Sequence, residues 1–348
     1  MSDAAGIGTS SEEPQAAPMP RGRTILRGVL GMIVGLAVAG LAAWFLGVSP
    51  REVAKNLAGV PLWGVAACAA SSFVVIAFQA LRWHSVMGPV LGLRYGQAYR
   101  AQAVGMMFNA LIPARGGDLL RVQYLGRRTG KSRAAILGTE IVDRWLDWWG
   151  WIPVILILAL VDDLPRWVFL GLGMFTAALV SWAVGMLVLT RRGYTPKPGS
   201  RWGGVYQSLQ SGIVAFRARR TWFSAFFIAP LPWLWEAFVV SRAAPMFDIH
   251  ITMTQAFCVL VGFNVAMVIP SPGAVGTVEA GGTMALMYFG ADKSKAIAFM
   301  FVYHFAQLLP GIFMGAAILA AEGEQLFGGP MPAAAAAPAE NAAAPPES

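Results

Sequence analysis

Four charged residues recur at helical spacing inside one long apolar segment. They are Glu140, Asp143, Arg144 and Asp147. The i, i+3, i+4, i+7 pattern places them on one face of a helix, and a charged face cannot lie against lipid. We therefore expect it to face the protein interior, with Arg144 binding a phosphate or neutralising the acids, and Glu140 and Asp143 as candidates for proton coupling. A structural network of ion pairs is the alternative interpretation.

A glycine-rich loop forms a second candidate site and reads Pro-Ala-Arg-Gly-Gly-Asp over residues 113–118. Glycines let backbone N–H groups approach a ligand, and the start of a helix favours an anion. Arg115 adds planar donors suited to phosphate. The predicted substrate-binding residues here are Asn109, Arg115, Gly116, Gly117, Asp118 and Arg121. In the alternative interpretation this loop is a cytoplasmic anchor, in which its arginines contact lipid headgroups and Asp118 caps a helix.

A second loop, Pro-Ser-Pro-Gly at residues 270–273, has no arginine but is followed by Glu279. A carboxylate at membrane depth is costly unless it is paired or hydrated. Glu279 could pair with an arginine, take up a proton, or cap the helix that follows the loop. The predicted substrate-binding residues of this region are Asn264, Gly273, Gly276 and Glu279, and Arg144 joins them from the first cluster.

Two isolated side chains complete the candidates for proton coupling. Glu236 and His304 each lie inside an apolar segment, where a plain packing role is the alternative. Arg82 and Arg242 each follow an apolar run, and we expect both to end their helices and extend to the membrane surface. A role in substrate binding is the alternative for Arg82. No spacing of histidines and acids predicts a metal site, and neither a cofactor, a nucleophile–base pair nor a P-loop is predicted. We therefore do not expect an enzyme.

The composition predicts whether these residues lie in a soluble protein or in a membrane protein. Of 348 residues, 57% are hydrophobic and 13% are charged, and the mean hydropathy is +0.58. Soluble domains carry about 25% charged residues, so the chain is predicted to be an integral membrane protein and not a soluble enzyme. The net charge of +8 is then assigned to basic loops that set membrane topology, and no nucleic-acid partner is predicted.

The apolar segments predict an all-α polytopic membrane protein with about six full transmembrane helices. The predicted spans are Ile25–Leu46, Pro61–Leu81, Ala134–Leu160, Trp167–Leu189, Trp222–Ser241 and Ala296–Ala320. Two further apolar segments, residues 98–117 and 256–290, are interrupted by glycine and proline. Because broken backbone cannot face lipid, we predict that both are re-entrant helix pairs.

The distribution of basic residues predicts the orientation. Nineteen of the 26 lysines and arginines lie in four segments, 21–27, 82–100, 115–133 and 191–220, which the positive-inside rule places in the cytoplasm. We therefore predict a multi-pass protein of the cell inner membrane with both termini cytoplasmic. The predicted organisation is a tail (1–20), a first repeat (21–190), a basic linker (191–220), the remainder of a second repeat (221–322) and an Ala/Pro-rich tail (323–348).

The two broken segments also suggest an internal repeat, the second half of which begins at the span 167–189. Arg82, Phe108-Asn109, Pro113, Asp118 and Lys131 are followed in the same order by Arg242, Phe263-Asn264, Pro270, Glu279 and Lys293. Each half would contain three full spans, an odd number, so the halves would be inverted relative to each other. In the alternative interpretation the breaks only kink ordinary helices.

The sequences FNALIPARGGDLLRVQYLGRRTGKSRAA, VDRW and IPSPGAVGTVEAGG resemble the lysylphosphatidylglycerol synthase transmembrane family of flippase-like proteins. The resemblance implies a lipid-translocating membrane domain. It does not imply the aminoacyltransferase that some members carry, because the chain is expected to have no room for that domain. Asp143 and Arg144 match an Asp-Arg pair of the family. Where the family often has Tyr-Arg in the final helix, this chain has Tyr303 and His304.

We accordingly predict a flippase-like lipid transporter that moves an anionic headgroup between leaflets by alternating access, with proton coupling left open. The predicted partners are membrane lipids, either an anionic phospholipid or an isoprenoid phosphate, and a lipid-modifying enzyme is a further candidate partner. The main alternative is a non-transporting membrane protein that presents a lipid to a separate synthase or glycosyltransferase. A carrier of small solutes would follow the same inverted-repeat logic.

Overall fold

The computed structural model describes residues 50–112, 116–153, 156, 166–191, 203–267 and 272–322, and these residues contain no strand. The α-helices are α1 (Pro50–Ala58), α2 (Leu62–Leu91), α3 (Tyr95–Leu111), α4 (Gly117–Thr129), α5 (Arg133–Trp149), α6 (Arg166–Arg191), α7 (Gly203–Ile213), α8 (Arg219–Phe227), α9 (Pro230–Ala243), α10 (Met253–Ala266), α11 (Thr277–Tyr288) and α12 (Lys293–Glu322). Short 3₁₀ turns occupy Val214–Arg217, Ala244–Phe247 and Pro272–Ala274. The prediction of an all-helical chain is confirmed for this part.

Four helical segments among the described residues are long and apolar enough to cross a membrane. They are Leu62–Leu91, Gly173–Arg191, Arg219–Phe247 and Lys293–Glu322. Each coincides with one of the six predicted spans. Of the other two, Ile25–Leu46 lies outside the described residues, and Ala134–Leu160 begins as α5 and then also runs outside them.

Both predicted breaks occur, and each separates two helices that pack against each other. The first hairpin consists of α3 and α4, and the second consists of α10 and α11. In each hairpin the two helices touch at glycines. A Cβ added to Gly117 would lie 2.1 Å from the Gly105 carbonyl oxygen, and one added to Gly281 would lie 2.3 Å from that of Gly262. Since real Cβ contacts are longer, only glycine permits these backbone approaches.

The breaks of the two hairpins meet each other. The 3₁₀ turn that precedes α11 packs on α3, where a Cβ on Gly273 would lie 3.2 Å from the carbonyl oxygen of Ala110. Gly273 has φ +59° and Gly276 has φ +88°, conformations that favour glycine. Helix α12 packs against α3 of the first hairpin, α11 of the second hairpin, and the long helix α2.

Helix α2 is longer than predicted, and this corrects the prediction for Arg82. The helix continues past the expected end at Leu81 and stops at Gly92, which adopts φ +68°. Arg82 therefore lies in the helix interior and is fully buried, with 0% of its surface exposed. It does not extend to the membrane surface, whereas Arg242 near the end of α9 is exposed.

Candidate functional site

The charged face of α5 packs against Arg82 of α2. Arg82 Nε donates to Asp143 Oδ1 at 2.8 Å, and its Nη1 donates to Asp147 Oδ1 at 2.5 Å. All three side chains are buried. The predicted inward orientation of this face of α5 is therefore confirmed, and the cation comes from Arg82, which was expected at the membrane surface.

A second arginine reaches the same face from the first hairpin. Arg121 of α4 donates to Gln102 of α3 and forms an ion pair with Glu140 of α5. Its guanidinium also lies 4.5 Å from the centre of the Trp83 ring, a cation–π contact. Arg121 is 1% exposed, so it joins three helices below the protein surface and is not a headgroup anchor at the membrane surface.

Arg144 is the most accessible arginine of the cluster. Its Nε donates to Glu140 at 2.9 Å and its Nη1 donates to Asp147 at 3.3 Å. Asp118 lies 3.9 Å from Arg144, and these two side chains are 19% and 18% exposed, while the other acids and arginines are below 10%. The cluster therefore opens at Arg144 and Asp118.

We refer to these seven side chains as the buried ion cluster. Its members are Arg82, Asp118, Arg121, Glu140, Asp143, Arg144 and Asp147. Three arginines and four carboxylates give a formal charge of −1. In the cluster and the adjoining Asn109, three atoms are buried without a hydrogen-bond partner: Glu140 Oε2, Arg121 Nε and Asn109 Oδ1. Buried polar atoms normally have partners, so the two oxygens are positions for a proton or a donor, and Arg121 Nε is a position for an acceptor.

The glycine loop lets the start of α4 pack closely against α3. Asn109 Nδ2 donates to Asp118 Oδ1 at 3.0 Å across the first hairpin, and Gly117 lies directly against the Asn109 backbone. Gly116 precedes the first turn of α4. Arg115 lies outside the described residues. Helix α3 thus occupies the space beside Gly117 through which a ligand would approach its backbone. Ligand binding by Gly116 and Arg115 stays a prediction.

A separate polar pair lies at the second hairpin. Glu279 Oε1 is 2.8 Å from His304 Nδ1 of α12, and its Oε2 accepts from the Gly276 backbone N–H at 2.6 Å. Both side chains are buried. Of the three alternatives for Glu279, capping of its own helix is the one observed, and its side-chain partner is His304 and not an arginine. We call this contact the Glu279–His304 pair.

Glu236 lies in α9, where its side chain is partly buried. Asn264 donates to the carbonyl oxygen of Leu260 in its own helix at 2.8 Å, so it is not brought into the cluster. Gly273 lies at the junction of the hairpins, where it contacts α3.

Gln102 was not among the predicted site residues, and a site role for Arg82 was only the alternative interpretation. The local sequence gives little signal for Arg82, because His84, Ser85 and the helix breakers Gly88 and Pro89 follow it, as they would follow the end of a span. The helix nevertheless continues through Pro89 to Leu91.

An apolar groove of about 950 Å³ runs between α2 and α12. Its lining includes Phe73 of α2 and Phe301, Phe305 and Phe313 of α12, and every residue of the lining is apolar. Immediately beside this lining, Gln307 Nε2 donates to Ser71 Oγ at 2.9 Å, so polar groups and the groove lie on neighbouring positions of the same two helices.

Residues 32–315 match the model of a family described as the lysylphosphatidylglycerol synthase TM region. The chain belongs to this family. A UPF0104 membrane protein of Methanothermobacter thermautotrophicus is 29% identical over 154 residues, which is 42% of this chain and 45% of that protein. The chain thus spans less than half the length of this relative.

Family membership and the apolar helices together identify a multi-pass helical membrane protein. The matched family describes the membrane region of lysylphosphatidylglycerol synthase and not its catalytic domain. In this member, the matched region contains the buried ion cluster, both hairpins and the Glu279–His304 pair.

Proposed function

We propose that the protein is a flippase-like lipid transporter, which moves a lipid headgroup between leaflets by alternating access. One observation carries the proposal: a cluster of seven ionisable side chains, five of them buried, lies beside the meeting point of two helix hairpins in a membrane protein. Charges at such depth are costly and are typically found on substrate or ion pathways. A purely structural core would be cheaper with apolar residues.

The proposed arrangement has six full spans and two re-entrant hairpins in inverted repeats. The glycine contacts support it, because the two arms of each hairpin touch at one pair of glycines, Gly105 with Gly117 and Gly262 with Gly281, although these glycines do not align residue by residue. Transporters with inverted repeats bind substrate at broken helices near the bilayer midplane. The contact between the hairpin breaks at Gly273 and Ala110 fits such a site.

The proposed orientation has both termini in the cytoplasm of a cell-membrane protein. Glu322, at the end of α12, pairs with Arg100 at 3.0 Å, and Arg100 belongs to a basic segment that the positive-inside rule assigns to the cytoplasm. The outer loops would then include the contact of Lys295 with Asp248 at 3.1 Å.

Within the buried ion cluster, Arg144 is the proposed headgroup ligand because it is the most exposed of the arginines. The cluster has a formal charge of −1 before any substrate enters. A phosphate would add charge of the same sign in a poorly screened site. An anionic headgroup is therefore best accommodated together with a proton, for which the partnerless Glu140 Oε2 offers a site.

Glu236 and the Glu279–His304 pair extend this polar path toward α12. Glu236 in α9 and Glu279 at the start of α11 are the carboxylates proposed to carry a proton there. The lipid tail would remain in apolar surroundings, and the groove between α2 and α12 has the lining and the volume for part of it.

The test is leaflet exchange in liposomes that contain the full chain. Fluorescent phosphatidylglycerol and phosphatidylcholine are reduced from outside by dithionite, and the protected fraction reports exchange. We expect wild type to exchange phosphatidylglycerol faster at pH 6 than at pH 8. Arg144→Gln should slow exchange by about tenfold, the loss of roughly 1.4 kcal/mol, while Arg242→Gln, at an exposed arginine, should match wild type.

Two results would contradict the proposal. The first is wild-type exchange no faster than in protein-free liposomes, which would favour a protein that presents a lipid to another enzyme. The second is an Arg144→Gln variant that exchanges lipid as fast as wild type, because the buried ion cluster would then have no part in transport.

A further inference from the structure

A second charged pocket lies at the other end of the first hairpin, apart from the buried ion cluster. It has a volume of about 180 Å³ and is lined by Gln97, Arg100, Tyr124, Leu125 and Arg128. The donors come from both arms, since Gln97 and Arg100 belong to α3, and Tyr124 and Arg128 to α4. Two guanidinium groups, one phenol and one amide face a space large enough for a phosphate group.

The Glu322 carboxylate lies in this pocket and shows how its side chains bind an anion. Tyr124 Oη donates to Glu322 Oε2 at 2.6 Å, Arg100 Nη1 donates to Oε1 at 3.0 Å, and Arg128 Nη2 lies 3.6 Å from Oε1. The Glu322 side chain is 9% exposed, whereas those of Arg100 and Arg128 are 56% and 46% exposed. The carboxylate is therefore enclosed, while the two cations remain reachable from the membrane surface.

The charge balance of this pocket is opposite to that of the buried ion cluster. Two arginines against one carboxylate leave a formal charge of +1, so an incoming anion is attracted without an accompanying proton. Charge-assisted hydrogen bonds from arginine to phosphate are among the strongest in proteins. A phosphate group offers more acceptor oxygens than the carboxylate that it would replace.

We propose that Arg100, Tyr124 and Arg128 form a binding site for a phosphate monoester or diester group, and that the Glu322 carboxylate occupies this site until such a group displaces it. Displacement frees the end of α12 from the first hairpin. Ligand binding thereby releases a contact between two parts of the chain that are 222 residues apart.

The position of the pocket suggests what the ligand does next. Arg121, Tyr124 and Arg128 follow an i, i+3, i+7 pattern on α4, so they share one helix face over about 10 Å. A headgroup bound by Arg128 would lie about two helical turns along this face from Arg121 of the buried ion cluster. This role as a receiving site rests on the proposed transport function, whereas binding of phosphate in the pocket does not.

Binding is measured on the purified full chain in neutral detergent micelles, where there are no leaflets to exchange. The probes for isothermal titration calorimetry are dihexanoyl phosphatidic acid, dihexanoyl phosphatidylglycerol and inorganic phosphate. We expect Arg100→Gln and Arg128→Gln each to weaken lipid binding by about tenfold. Glu322→Gln, which removes the competing charge, should tighten binding several-fold. Arg94→Gln is the matched control, since Arg94 is an exposed arginine at the start of α3 that does not line the pocket.

Each outcome decides one part of the proposal. Unchanged affinity in the Arg100→Gln and Arg128→Gln variants would overturn the site, and unchanged or weaker affinity in Glu322→Gln would overturn its occupation by Glu322. If inorganic phosphate binds as tightly as the lipids, the ligand is a soluble phosphate; if only the lipids bind, it is a headgroup. A failure of leaflet exchange with normal binding here would contradict the transport proposal alone.

Discussion

The two hairpins have a similar arrangement of helices but differ in the ionisable side chains that they carry. Each has two short helices that touch at a glycine pair, and each carries an acid in the first turn of its second helix, Asp118 in one and Glu279 in the other. Asp118 lies at the opening of a cluster with three arginines. Glu279 has a single histidine partner and a backbone N–H. The backbone design is repeated, whereas the charge is concentrated in the first half.

The same difference separates the arginines that precede the hairpins. Arg82 is buried and paired with Asp143 and Asp147, while its counterpart Arg242 is exposed. Burial of Arg82 depends on the acids of α5 and not on the hairpin itself. In the proposed transporter, the first half would act on a charged group, and the second half would supply a titratable pair and a matching scaffold.

The largest expected effect comes from removing Arg82. In Arg82→Met, Asp143 and Asp147 would stay buried without their strongest partner, a situation that costs about 3–5 kcal/mol. Thermal unfolding followed by tryptophan fluorescence in micelles should show a midpoint lowered by more than about 5 °C. Arg242→Met, at the exposed counterpart, should change the free energy of unfolding by less than about 0.5 kcal/mol.

Equal midpoints for the Arg82→Met and Arg242→Met proteins would contradict the asymmetry between the two halves. The triple variant Arg82→Met/Asp143→Leu/Asp147→Leu serves as a further control, because removing all the charges should recover part of the lost stability. If the triple variant is as unstable as Arg82→Met, the three side chains contribute to stability by more than neutralising one another's charge.

Next in size are the glycines at which the hairpin arms touch. A Cβ in Gly117→Ala would lie 2.1 Å from the Gly105 oxygen and 2.5 Å from the Asn109 nitrogen, and one in Gly281→Ala would lie 2.3 Å from the Gly262 oxygen. Because these are backbone atoms, the arms must separate, and we expect each variant to lose about 1–3 kcal/mol of unfolding free energy.

Gly96→Ala is the control for the glycine variants. Gly96 lies in α3 with nothing within 4 Å of an added Cβ, so this protein should unfold no earlier than wild type. A large loss in only one of Gly117→Ala and Gly281→Ala would show that the two glycine contacts are not equivalent, and the proposed structural repeat would lose its main support.

Much of the scaffold could be predicted from sequence because its signals are local. Glycine and proline mark both breaks, apolar runs mark four described spans, and the spacing of Glu140, Asp143 and Arg144 shows which side of α5 faces inward. Each of these signals depends on residues within a few turns of one another. The predicted roles of these residues remain hypotheses.

The partners of the charged groups could not be predicted, because they come from distant parts of the chain. Arg82 and Asp143 are 61 residues apart, so the arginine resembled the end of a span and not a buried cation. Glu279 and His304 were both candidates, but the sequence contains no local sign that they meet across α11 and α12. A helix tolerates a buried charge only when packing delivers the counter-charge, and that is a property of the fold.

A smaller effect is expected when the acid of each hairpin is neutralised. Glu279→Gln keeps an acceptor for the Gly276 N–H but removes the charge beside His304, and we expect it to cost about 1 kcal/mol. Asp118→Asn should cost less, because Asp118 is partly exposed and lies 3.9 Å from both Arg121 and Arg144. Thermal midpoints of the two variants in micelles measure the difference.

Leaflet exchange between pH 6 and pH 8 adds a functional readout for these two variants. If the Glu279–His304 pair carries a proton during transport, Glu279→Gln should flatten the pH dependence of phosphatidylglycerol exchange. Asp118→Asn should retain that dependence. A pH profile that is flattened by Asp118→Asn and kept by Glu279→Gln would assign proton binding to the first hairpin, contrary to the division between the halves.

The last expected effect, no larger than that of Glu279→Gln, separates the two asparagines that occupy corresponding positions in α3 and α10. Asn109 Nδ2 donates to Asp118 across the first hairpin, so Asn109→Ala should lose about 1 kcal/mol. Asn264 Nδ2 donates to the Leu260 carbonyl of its own helix, and alanine is the better helix former there, so Asn264→Ala should be neutral or slightly stabilising. A double-mutant cycle of Asn109→Ala with Asp118→Ala should give a coupling of about 0.5–1 kcal/mol, and additive losses would mean that the amide does not hold the carboxylate in place. Since only the first asparagine reaches across its hairpin, this cycle tests at the level of one hydrogen bond whether the first hairpin uses its asparagine to orient a carboxylate while the second does not.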